Sequence, residues 1–154
     1  MENNDIIRRI RYSFDFNDTK MIEIFALGNS KVTRTEISGW LKKDIDPGYV
    51  TLSDFQLAVF LNGLIIEKRG KREGSKPIPE NQLNNNIIFR KLRIALNLKD
   101  DDILNLLNLV DIKISKHELS AFFRKPGQSQ YRDCKDQILR NFLRGMQMRY
   151  RENK

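Results

Sequence analysis

At 154 residues the chain has room for one domain, or for two small ones fused through a common core, and its 40% hydrophobic and 31% charged fractions are ordinary for a folded protein. The richest apolar run, Leu57 to Ile66, is too short and too interrupted to cross a membrane, while a single cysteine, Cys134, and a single histidine, His117, exclude an internal disulfide and a Cys/His zinc cluster. The net charge of +8 points to polyanionic partners and is unevenly spread, with −1 from Glu2, +3 over residues 3–72, −1 over 73–84 and +7 over 85–154.

Shifted by 82 positions, residues 3–72 align without a gap on residues 85–154, and about a quarter of the pairs are identical. One supersecondary unit of roughly 70 residues has therefore been duplicated, with 73–84 as the linker between copies. Apolar residues recur at three and four positions in each copy, which predicts an all-α protein of two tandem four-helix units. The pattern leaves open whether the units share one core.

The first predicted helix, about 4–14, carries Ile6, Ile7, Ile10 and Phe14 on one side, echoed by Ile88, Phe89, Leu92 and Leu96. Asn4 and Asn86 are its expected caps. The second, about 18–27, opens with Asp18 or its counterpart Asp100, whose carboxylates meet the positive end of the helix dipole. Asp100, Asp101 and Asp102 are read as helix-start stabilisation and not as a metal cluster, since consecutive carboxylates point around a helix without converging.

The third helix, 33–43, begins with Thr33 and, three residues on, Glu36; Ser115 and Glu118 repeat this capping box in the second copy. Behind it Ile37, Trp40 and Leu41 match Leu119, Phe122 and Phe123 as a core face. A loop over 44–51 follows, with Pro47 and Gly48; Pro126 and Gly127 come earlier in the second copy. The fourth helix, from about Ser53, is expected to bury Phe55, Leu57, Phe60, Leu61 and Leu64, with Ile138, Leu139, Phe142, Leu143 and Met146 as their second-copy partners. Gly63 and Gly145, inside these helices, predict close approach of another helix. Among the retained polar pairs, Arg11/Arg93 and Asp54/Asp136 suggest an ion pair, and Tyr49/Tyr131 a loop anchor.

With the segments FALGNSKVTRTEISGWLKK, DFQLAVFLNGLIIEKRGK, NNNIIFRKLRIALNLKDDDIL and CKDQILRNFLRGM, the chain resembles the YehS-like family of bacterial proteins, a match that runs nearly end to end. That family is built from two copies of one small domain of unknown function. The resemblance implies a bacterial, cytoplasmic, all-helical duplicated protein, a location that the polar, acidic-tipped N-terminus also suggests. It brings no catalytic residues with it.

Function is sought in the basic residues. The second and third helices have the approximate layout of a helix-turn-helix, which would set Arg34, Thr35 and Ser38 toward base edges and Lys42 and Lys43 toward phosphates. The second copy offers Lys116, His117, Ser120, Arg124 and Lys125. The last helix places Arg140, Arg144 and Arg151 on one side and its apolar residues on another, and Lys68, Arg69, Lys71 and Arg72 lead into the linker. The leading expectation is a non-enzymatic nucleic-acid-binding protein, for DNA or RNA; the alternative is a protein-interaction adaptor, including a homodimer. No phosphate-binding GxxxxGK, nucleophile motif or paired histidines occur, so no catalytic residue, cofactor, metal or small-molecule substrate is expected. Cys134 lies at a helix start, which can lower a thiol pKa, but it matches Leu52 of the first copy, which suggests a partly buried spot.

Overall fold

A computed structural model describes residues 1–71 and 77–152, and every regular element among them is helical. The first copy contributes α1 (Asn3–Phe14), α2 (Asp18–Leu27), α3 (Arg34–Leu41) and α4 (Asp54–Arg69). The second contributes α5 (Asn85–Ala95), α6 (Asp100–Asn108), α7 (Lys116–Ala121) and α8 (Asp136–Gln147), which runs on into a π-helical turn over Met148–Glu152. Local chemistry sets the starts. Both capping boxes form: Thr33 and Ser115 accept from the backbone N–H groups of Glu36 and Glu118 at 3.1 and 3.0 Å, and both glutamates accept in return. Ser53 caps α4 through the Gln56 N–H at 3.1 Å. Asn or Asp ends the first two helices of each copy in the left-handed region, at Asp15, Asn29, Asn97 and Asp111.

The two copies exchange helices. α4 of the first copy packs along α5 of the second more extensively than along any other helix, and α1 packs chiefly on α8 and the turn that follows it. The result is a single continuous core in which Phe25, Phe60, Phe89 and Phe142 are fully buried, so the two units are fused and do not have separate interiors. The exchange is tied at both ends by equivalent arginines. Arg69 donates to the Ile94 carbonyl at 3.0 Å and to Asn97 Oδ1 at 3.1 Å, while Arg151 donates to the Tyr12 carbonyl at 2.9 Å and to Asp15 Oδ1 at 3.0 Å. Each arginine thus closes the end of the other copy's first helix.

Gly63 and Gly145 have the expected packing reason. A Cβ at Gly63 would lie 1.9 Å from the Ile24 carbonyl oxygen, and one at Gly145 would lie 2.4 Å from that of Leu106. Only a hydrogen in that position lets α4 sit on α2, and α8 on α6.

Several expectations are corrected. Asn4 and Asn86 are not caps but buried clamps: Asn4 donates to the Trp40 and Val50 carbonyls at 3.0 and 2.8 Å and accepts from the Leu52 N–H at 3.0 Å. Asn86 repeats this with Phe122, Arg132 and Cys134. Backbone groups of the long loops are otherwise stranded in the core, and an amide can satisfy both kinds at once. Phe55 is 42% exposed, since it falls on the outer side of α4. The anticipated Arg–Asp ion pairs do not form; Arg93 pairs with Asp100 at 2.9 Å, whereas Asp54 and Asp136 accept from Asn3 and Asn85 at 2.7 and 2.8 Å. α7 stops at Ala121, and Pro126 bars Lys125 from helical backbone, so Arg124 and Lys125 lie beyond the helix.

Candidate anion-binding groove

The sequence candidates scatter. Arg34 stands exposed at the start of α3 but donates to Thr19 Oγ1 at 2.7 Å and lies 3.9 Å from Asp18. Lys116 pairs with Asp101 at 3.3 Å, and Arg124 has a buried Nε with no hydrogen-bond partner. The Lys125 backbone N–H donates to Gln128 within its loop. Lys68 stands 4.1 Å over the Phe14 ring, and burial pushes its amine below the usual lysine range. Arg69 and Arg151 are the ties between copies already described, which explains their retention as a pair without reference to a ligand. Lys71 is exposed just past α4, and Arg72 lies outside the described residues.

Three candidates do converge. Lys43 and Arg140 line one open cavity of about 600 Å³ between α1 and α8, and Arg144 lines its continuation together with Arg9 and Gln147. α1 supplies the rest of the wall: Asp5, Arg8, Arg9, Arg11 and Tyr12. Its apolar face, Ile6, Ile7 and Ile10, is fully committed to the core, so the intervening arginines turn outward to the groove.

Charge in this groove is unbalanced. Arg8 is neutralised by Asp5 and also donates to the Lys42 carbonyl at 2.9 Å, and Arg144 donates to Asn141 Oδ1 at 3.0 Å. The side chains of Arg9, Lys43 and Arg140 make no hydrogen bond or ion pair among the described residues. At one end the terminal ammonium of Met1 meets the Asp136 carboxylate at 2.6 Å, and this contact, with Asn85, holds that carboxyl below its ordinary range. Chemically the groove can hold anionic groups through charge-assisted hydrogen bonds; it presents no nucleophile and no acid–base pair.

Arg8, Arg9 and Arg11 do not stand out in the sequence as site residues. Their signal is weak, an arginine-rich outer stripe on a helix whose partner, α8, lies far away in the chain. Elsewhere, burial pushes the Cys134 thiol up to about 12, and His117 is exposed beside the α7 cap. No group of three or more metal-ligating side chains occurs among the described residues, where the three aspartates of α6 diverge to Arg93, Lys116 and the Lys99 N–H.

Comparison with known proteins agrees with the duplication. The family described as "Protein of unknown function (DUF1456)" matches residues 3–70 and again residues 85–152. The chain is 45% identical over 150 residues to a protein of Escherichia coli (strain K12) called "Uncharacterized protein YehS", covering 97% of this chain and 96% of that one. No solved structure matches the chain. No helix among the described residues is long and apolar enough to cross a membrane.

Proposed function

The chain belongs to this DUF1456 family, carrying two copies of its domain, and from the geometry of the α1/α8 junction we propose that it is a non-enzymatic binding protein for an anionic chain, nucleic acid or acidic polypeptide. The observation that carries this reading is the convergence on one open groove of Arg9, Lys43 and Arg140, which make no hydrogen bond or ion pair among the described residues, although the charge of Arg140 also acts on the Asp136 carboxylate. Cations left in this state on a protein surface attract and orient a polyanion over a Debye length. The start of α3, by contrast, spends Arg34 on Thr19 and Asp18, which weakens a helix-turn-helix reading.

Labelled single-stranded DNA, RNA and poly-glutamate, titrated across a salt series, test it. Binding of at least one polymer should weaken steeply as salt rises, and the double reversal Arg9→Glu with Arg140→Glu should weaken it by about tenfold or more. Absence of binding by all three at about 50 mM salt overturns the reading.

A further inference from the structure

The groove between α1 and α8 has a twin, and the twin is filled by the chain itself. At the α4/α5 junction Lys91 is 9% exposed; its Nζ donates to Asn62 Oδ1 at 2.6 Å and lies 3.0 Å from Glu80 Oε1, an ion-pair distance without hydrogen-bond geometry. Glu80 belongs to the linker, which next places the Leu83 N–H on the Asp54 carboxylate at 2.9 Å and packs Leu83 against the core. The same 82-residue shift puts Arg9 where Lys91 stands, Arg144 where Asn62 stands, and Met1 where Leu83 stands. Even the anchor is repeated, since the Met1 ammonium meets Asp136 at 2.6 Å as the Leu83 N–H meets Asp54. The carboxylate is not repeated. Among the described residues none lies within ion-pair distance of Arg9.

We propose that the α1/α8 groove receives an extended acidic peptide of a partner protein, laid there as the linker is laid on α4/α5, with a Glu or Asp carboxylate between Arg9 and Arg144. This inference rests on the groove reading above and names its partner. Two observations favour a peptide over a nucleic acid. The twin's occupant is a non-helical peptide segment whose Pro77 and Pro79 favour extended backbone, so the junction's shape accommodates one. In addition, Asp5 and Glu152 stand among the cations as acceptors for backbone N–H groups, which a peptide carries and a sugar-phosphate backbone lacks, as Asp54 accepts from the Leu83 N–H. Exchanging lysine and asparagine for two arginines replaces a point charge with forks that bind a carboxylate in bidentate fashion.

The full chain would be titrated with labelled dodeca-glutamate and with dodecathymidine, which carry similar formal charge, while amide NMR shifts map each site. Dodeca-glutamate should bind about tenfold tighter, shift amides of α1 and α8, and lose about tenfold or more in affinity on Arg9→Glu with Arg144→Glu. Should that double variant lose its helical circular dichroism, Arg9→Gln with Arg144→Gln serves, with a smaller loss in the same direction. Equal or tighter binding of dodecathymidine in the groove overturns the peptide assignment and leaves the groove reading standing. Peptide binding that ignores both variants also overturns it, as does no binding of either polymer, which overturns the groove reading as well if RNA also fails to bind.

Discussion

At the α4/α5 junction a linker carboxylate neutralises Lys91 and takes it out of solvent, whereas at the α1/α8 junction Arg9, at the equivalent position, faces an open groove beside other cations. The helices, the glycine contacts, the asparagine clamps and the arginine ties are the same in both halves. What differs is the occupant. A duplicated fold needs both junctions for its core, but among the described residues a linker carboxylate closes only one of them.

The largest expected effect tests what the halves share. Gly63→Ala should destabilise by about 3 kcal/mol and Gly145→Ala by about 2 kcal/mol, because the added methyl meets a helix carbonyl that cannot move without separating two buried helices. The order follows from the distances, 1.9 against 2.4 Å. Urea denaturation of the two variants checks it, and a near-zero cost at either glycine would mean that the halves are not packed alike.

A smaller effect tests what separates them. Lys91→Ala leaves the Asn62 carbonyl oxygen and the Glu80 carboxylate without their partner at a buried junction, and should cost about 1–2 kcal/mol. Arg9→Ala removes no hydrogen bond or ion pair found among the described residues and should change stability by less than about 0.5 kcal/mol. Equal costs, measured as shifts in the urea midpoint, would erase the distinction between a filled and an open junction.

Much of this architecture is legible in the sequence, for identifiable reasons. Capping boxes at Thr33 and Ser115 are local devices whose partners sit three residues away, so spacing alone reveals them. Gly63 and Gly145 announce a close approach because glycine inside a helix is otherwise unfavourable. Cys134 reads as partly buried through its pairing with Leu52, and its burial is nearly complete. Long-range polar contacts are not legible in this way. Asn4 reads as a cap because asparagine near a helix start usually is one, yet its partners are 36 to 48 residues away. The same limit hides the groove: Arg9 and Arg144 lie in helices of different copies, and only the packing of α1 on α8 brings them together. Retained basic pairs mislead in the opposite sense, since Arg69 and Arg151 were kept to close neighbouring helices.

Carrying the twin's residues across gives the sharpest test of the comparison. Arg9→Lys with Arg144→Asn reproduces at α1/α8 the pair found at α4/α5, without supplying a carboxylate. Both positions edge an open groove and the one bond lost is that from Arg144 to Asn141 Oδ1, so stability should fall by no more than about 1 kcal/mol, with an unchanged urea m-value. Anion binding should nevertheless fall, because two forks become one point charge and an amide. A gain of more than about 1 kcal/mol would show that the lysine–asparagine bond suffices to seal such a junction. In that case the linker's carboxylate would be incidental at α4/α5, and the reason for expecting a carboxylate at α1/α8 would go with it.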